Sequence, residues 1–291
     1  MKRIIFYIEY FLFRVIAASV NLLSLSQASA LADKMGGLFY GFLKKRRLMM
    51  LANLSAAFPE KSSGEIESIA RQSMNNLVRI ALEFVRIPKI IKKKEIEWKV
   101  KKEDAMFEAL KGGRGVIVIV SHLGNWEWMA LAARQAGHTP FFAIARPVKN
   151  PFVYRFIKKL RELTGVNSYN KDGAVRSTIK LLKENNKICM LIDQRERQGG
   201  VQVEFFGRPA MTTSLPAILA LKHLIPVVSA FIVRESPACV RLDIHEAFPL
   251  INTGNYEADV TANTQQYVKK IEDQIRTNPE SWLWMHNRWR L

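Results

Sequence analysis

Residues 115–128 read GVIVIVSHLGNWEW, and the reading of this stretch decides the fold. GVIVIV is short, β-branched and apolar on both faces, the pattern of a central strand in a covered sheet. His122 follows the run, and Glu127 comes five residues later. Gly124 permits a tight turn between them. Asn125 is placed to cap a helix that carries Glu127. From the start of that helix the carboxylate is expected to reach back to the imidazole, fix its tautomer and stabilise the imidazolium. The other ring nitrogen then faces a substrate, and an ordinary pKa of about 6.5 suits a general base at neutral pH.

Working outward, the same alternation continues. EWMALAARQAG reads as a helix, FFAIA at 141–145 as a strand and PFVYRFIKKLREL as a helix. AVRSTIKLLKENN is a helix leading into the strand KICMLI; SLPAILALKHL is a helix, and PVVSAFIV and VRLDIHEAF are late strands. YEADVTANTQQYVKKIEDQIR closes the series as a long helix. Strands alternating with helices predict an α/β fold with a mostly parallel central sheet flanked by helices. Ligands in such sheets bind at the carboxyl ends of the strands. His122, Arg146, Asp193, Gln194 and Arg195 each follow a predicted strand, so the sheet reading brings them to one edge.

Upstream, residues 36–110 read as helical, including SGEIESIARQSMNNLVRIALEFVRI, with Ser62 or Ser63 as its cap and Pro88 as its end. The expected organisation is a membrane anchor over 1–30, a helical membrane-proximal part over 31–110 and an α/β catalytic core over 111–291. The N-terminal run from Ile4 to Leu25 would make a helix of roughly 33 Å, about the thickness of a bilayer's hydrocarbon core. Glu9 and Arg14 interrupt it. Arg14, Ala17, Ala18, Asn21, Ser24 and Ala28 share one stripe, so the helix either spans or lies in the interface with that side against water or protein. A soluble core helix is the alternative. ASA at 28–30 has the look of a cleavage site, but the apolar region before it is too long and carries charges. An uncleaved anchor with Lys2 and Arg3 cytoplasmic is favoured.

The net charge of +18 fits an anionic partner (membrane, acidic protein or nucleic acid), with a basic but solvated surface as the alternative. KKRR at 44–47 and KIIKKKEIEWKVKK at 89–102 mix cations with apolar side chains and suit anionic headgroups. No zinc-finger spacing or RNA-binding aromatic signature is present, so nucleic acid is not expected. Cys189 and Cys239 are the only cysteines, which fits a reducing compartment. His138, His223, His245 and His286 are scattered without a metal-binding spacing, so neither a metal nor a cofactor is expected. KGGRG at 111–115 precedes its strand and reads as a turn, not a phosphate loop. GxSxG is absent, and no Ser or Cys nucleophile stands out. Direct proton removal from an acceptor hydroxyl, which attacks an activated acyl group, remains the best chemistry for His122, with Arg146 holding a phosphate or the developing oxyanion. A non-catalytic module using the cationic surface is the alternative class.

SHLGNWE resembles the His-x4-Asp/Glu box of glycerolipid acyltransferases, in the form found in bacterial lipid A late acyltransferases. FFAIARP, MLIDQ followed by VEFFGRPAMTT, IPVVSAF and PESWLWMHNRWR resemble further blocks of that family, in order along most of residues 1–291. The resemblance implies transfer of a fatty acyl chain from acyl carrier protein to a hydroxyl of an anionic lipid A precursor, on the cytoplasmic face of a bacterial inner membrane. It implies His122 as base and Glu127 as its partner, with Arg146, Asp193 and Gln194 lining the acceptor or oxyanion region; Asn125 and Arg195, beside them in the sequence, are expected on the substrate side as well. Glycerophosphate acyltransferases carry a Glu-Gly-Thr-Arg block where this chain has DQRERQGG, which disfavours a simple glycerophosphate acceptor. Other lipid acceptors (ornithine-type, aryl-polyene or mannoside) stay open. Trp98, Trp126, Trp128, Trp282, Trp284 and Trp289 are expected to border membrane or acyl chain, or else to sit in the core.

Overall fold

The computed structural model describes residues 2–102, 104–135, 137–144, 148–169 and 174–290. Its first part is helical: α1 (Lys2–Leu22), α2 (Leu25–Phe42), α3 (Lys44–Ala57), α4 (Ser63–Val85) and α5 (Ile87–Lys93). The apolar N-terminal run is not one helix through Ser24, because Ser24 and Gln27 form a capping box that starts α2. Ser62 and Glu65 do the same for α4. Pro88 sits in the first turn of α5, where its missing N–H is harmless.

The rest alternates: β1 (Glu97–Lys101), α6 (Asp104–Leu110), β2 (Val116–Val120), α7 (Met129–Gln135), β3 (Phe141–Ile144), α8 (Pro151–Thr164), β4 (Val166–Tyr169), α9 (Ala174–Lys183) and β5 (Lys187–Leu191). Then come β6 (Gly200–Phe205), β7 (Arg208–Thr213), α10 (Leu215–His223), β8 (Val227–Ser236), β9 (Cys239–Ile244) and α11 (Tyr256–Thr277). The main sheet runs β1-β9-β8-β2-β5-β3-β4, and β6-β7 form a separate hairpin. Every pairing in the main sheet is parallel except β8 with β9. The α/β fold with a mostly parallel sheet is therefore present. β1 is a departure: the segment read as wholly helical supplies an edge strand. β4 and the β6–β7 hairpin also went unread.

β2 lies between β5 and β8, and its side chains are buried from Val116 to Val120. Burial of each is worth roughly 1.5–3 kcal/mol, which anchors the strand that delivers His122. One side of the sheet packs on α3, α4, α10 and α11; the other packs on α6 and α7. Trp128, Trp282 and Trp284 are core residues.

α1 is long and apolar enough to cross a membrane, with a mean hydropathy of 1.5 over Arg3–Leu22. One side of it docks on the domain. Ala17 and Val20 are buried, and Asn21 donates to the Val85 carbonyl at 3.0 Å. Its C-terminal carbonyls are capped by cations: Arg86 on Val20 and Leu23, and Lys89 on Asn21 and Leu23.

Candidate active site

Parallel pairing of β2 with β5 places Val120 opposite Leu191. His122 and Asp193 therefore leave the sheet side by side, each two residues past that rung. The Asp193 carboxylate accepts from the His122 backbone N–H at 2.8 Å and lies 2.9 Å from its Nδ1. It accepts a third bond from the Trp282 indole at 2.8 Å. Burial alone would raise the Asp193 pKa. The His122 charge and these hydrogen bonds outweigh it and hold the carboxyl below its ordinary range. Burial likewise pulls His122 down, but the Asp193 charge and hydrogen bond, helped by the Glu127 charge, leave the imidazole raised. With Nδ1 occupied by Asp193, Nε2 is the nitrogen left for a substrate.

The expected His122–Glu127 contact is not formed. Glu127 sits in a short 3₁₀ turn, Trp126–Trp128, and its carboxylate is held by Arg161 of α8 in a two-pronged pair, 3.0 Å from Nε and 2.6 Å from Nη2. Asp193, expected on the substrate side, is only 2 % exposed and acts as the imidazole's partner instead. Asn125 does not cap the turn. Its amide donates to Glu83 at 2.6 Å, and Glu83 pairs with Arg234 at 2.7 Å, so Asn125 ties the loop to the domain behind it. Gly124 has φ +58°, and a Cβ there would stand 2.5 Å from the Ile232 carbonyl oxygen. Gln194 lies against the imidazole, its amide nitrogen 3.4 Å from Nε2. Trp126 meets the same ring edge-on at 4.9 Å. Arg146 lies outside the described residues.

His122, Glu127, Arg161, Gln194 and Arg195 border one cavity of about 470 Å³, in the range of ligand pockets. Its mouth is polar and also carries Arg197 and His286. Its floor is apolar and runs between the sheet and two helices: Val118, Val120, Ala143, Cys189, Leu191 and Ala230 below, Met106, Met129, Ala130 and Ala133 above. Burial pushes the Cys189 thiol up to about 12, so it lines the floor as a neutral, unreactive group. Among the described residues no cluster of His, Cys, Asp or Glu could hold a metal ion.

The C-terminal segment braces this site. Leu123 bridges to Trp282, the Gly124 N–H donates to Ser281, and the Leu283 N–H donates to the His122 carbonyl. Ser73 and Asn53 hold the segment from α4 and α3, the latter through the carbonyls of Trp284 and His286. Arg161 was missed because one cation on an amphipathic helix carries no signal. Trp282, expected to border membrane or acyl chain or to sit in the core, is in the core and also donates to Asp193.

Residues 2–291 match the family model described as bacterial lipid A biosynthesis acyltransferase. Phosphatidylinositol mannoside acyltransferase of Mycolicibacterium smegmatis is 29% identical over 193 residues, covering 64% of this chain and 60% of that protein. The protein of that name in Mycobacterium tuberculosis H37Rv is 25% identical over 75% of this chain and 69% of its own length. Lipid A biosynthesis palmitoleoyltransferase of Escherichia coli K12 is 24% identical over 89% of this chain and 84% of its own length. The chain belongs to the bacterial lipid A biosynthesis acyltransferase family.

Proposed function

We propose that this member of the lipid A biosynthesis acyltransferase family moves a fatty acyl chain from the thioester of acyl carrier protein to a hydroxyl of an anionic glycolipid, at the cytoplasmic face of a bacterial inner membrane. The observation that carries the reading is an imidazole, paired with a buried carboxylate, at the polar mouth of a cavity with an apolar floor. His122 Nε2 takes the hydroxyl proton as the new oxygen–carbonyl bond forms. The carbon–sulfur bond then breaks, and the imidazolium returns the proton to the departing thiolate. Asp193, bound at Nδ1, balances the imidazolium charge. The acyl chain lies along the floor between Val118, Cys189 and Ala133. Arg161 and Arg195 at the mouth serve the developing oxyanion or acceptor phosphates, and the same role is proposed for Arg146. The net charge of +18 favours an acidic carrier protein and an acidic lipid alike. Two free cysteines fit a reducing compartment.

A lipid A precursor is the leading acceptor. The similarity to mycobacterial phosphatidylinositol mannoside acyltransferases supports a second reading, with a mannoside lipid in its place. The test is an assay with acylated carrier protein and each acceptor in turn. His122→Ala is expected to lose on the order of 10²–10⁴ in rate. Transfer that survives this change at full rate would remove the imidazole from the chemistry.

A further inference from the structure

α1 is two-faced in the opposite sense from a core helix. Phe6, Tyr10, Phe13, Ala17 and Val20 turn inward, while Ile4, Ile8, Phe11, Leu12 and Val15 are exposed, Phe11 by 66 %. The inward side is held along its length. Asn150, at the head of α8, donates to the Phe6 carbonyl at 2.8 Å and to the Glu9 carboxylate at 3.0 Å. Phe13 meets Phe156 edge-on at 5.3 Å, and Asn21 holds Val85. α8 also carries exposed Arg155, Lys158 and Lys159. Were α1 to stand across a bilayer in this docked state, those cations would enter hydrocarbon, at a cost of several kcal/mol each. The arrangement fits a helix lying in the interface with its outer side immersed.

Between α1 and α8 runs a groove of about 420 Å³. Its walls are Phe152, Phe156, Leu160, Leu163 and Pro88, and its rim carries Arg14, Arg155 and Lys159. Lys158 and Arg161 of α8 have acidic partners in Glu162 and Glu127. The three rim cations have no carboxylate within salt-bridge distance among the described residues. Arg14 instead lies over the Phe156 ring at 5.2 Å, and Arg155 over Phe152 at 5.4 Å. An apolar slot edged by unbalanced cations, beside a helix with an uncovered apolar side, matches one chemistry: a lipid with an anionic phosphate.

We propose that the α1–α8 groove seats an anionic phospholipid of the bilayer in which α1 lies, a tail against Phe152, Phe156 and Leu163 and the phosphate against Arg14, Arg155 and Lys159. This rests on the membrane association proposed above and is independent of acyl transfer. The experiment is flotation of the full chain with vesicles of phosphatidylcholine alone, or mixed with phosphatidylglycerol. Wild type is expected to float with both and more strongly with the anionic mixture. Arg14→Gln/Arg155→Gln/Lys159→Gln is expected to lose on the order of tenfold or more of that preference. Arg176→Gln/Lys180→Gln/Lys183→Gln removes the same charge from α9, which contributes nothing to the groove, and is expected to stay within about threefold of wild type. Leu163→Trp fills the slot without changing charge and is expected to lower the preference as well. Equal loss in the two charge variants, full preference in the groove triple or in Leu163→Trp, or displacement by inorganic phosphate at matched ionic strength would each overturn the site. Failure of wild type to float on either vesicle would overturn membrane association, and the site with it, while leaving acyl transfer assayed in detergent untouched.

Discussion

Two carboxylates approach the same imidazole from different places, and the contrast assigns their work. Asp193 lies just past the end of β5, buried and hydrogen-bonded to the ring. Glu127 lies at the rim of the cavity, partly open to it, and spends both oxygens on Arg161. Both raise the imidazole pKa, but only Asp193 is positioned to set its tautomer. The rim pair instead places a balanced charge on the cavity wall.

The sharpest way to break this contrast is Asp193→Asn. The change keeps the shape but removes the charge that stabilises the imidazolium, and it is expected to cost on the order of 10²–10⁴ in kcat. The pH profile gives a second reading. As a base, His122 works only when neutral, and its pKa is raised, so the acid limb of kcat/KM should lie above the ordinary 6.5. In Asp193→Asn that limb should move down. The same shifts bear on stability. The raised imidazole stabilises the fold below its unfolded pKa, and that contribution fades as pH rises through the folded value. The depressed carboxyl stabilises above its unfolded pKa, and its contribution fades as pH falls through the folded value. A wild-type acid limb at or below 6.5 would contradict the pairing.

Next in size is the rim pair. Glu127→Gln leaves Arg161 charged and unbalanced, and Arg161→Gln strands Glu127. Each should lower kcat/KM, and the double variant should fall no further than the worse single, a coupling of about 0.5–3 kcal/mol. Simple additivity would show that the two side chains act separately. Gly124→Ala probes the loop between His122 and Glu127. Its positive φ and the nearby Ile232 carbonyl predict a loss of about 1–3 kcal/mol, read as a lower Tm. The smallest effect on overall rate is expected at the cavity floor. Ala133→Leu shortens it and should shift preference toward shorter acyl chains by roughly 1–3 kcal/mol per displaced methylene, with transfer of short chains unchanged.

Much of this was legible in the residues. GVIVIV read as a buried central strand because a strand covered on both faces must be apolar at every position, and β2 is. The strand-end rule then placed His122, Asp193, Gln194 and Arg195 at one edge. What failed was partner choice. Proximity in sequence favoured Glu127, whereas the actual partner follows from register: Val120 opposite Leu191 sets His122 beside Asp193, and register across a crossover is not written locally. The hairpin β6–β7 was missed for a similar reason. Its turn residues Phe206 and Gly207 both have positive φ, and a phenylalanine in the first place hides the usual turn signal. β1 was lost in a run of lysines, because an edge strand with one face toward water shows little hydrophobic pattern.

The brace formed by residues 279–289 has a consequence for the rigidity of the site. Trp282 reaches Asp193 across 89 residues of sequence, and its neighbours pin the loop that carries the imidazole. Without those struts His122 would keep its two bonds to Asp193, but Leu123 and Gly124 would lose their outer hold. The order of the loop is thus borrowed from a segment far away in sequence, and Trp282→Phe is expected to loosen the Asp193 carboxylate while leaving the sheet in place.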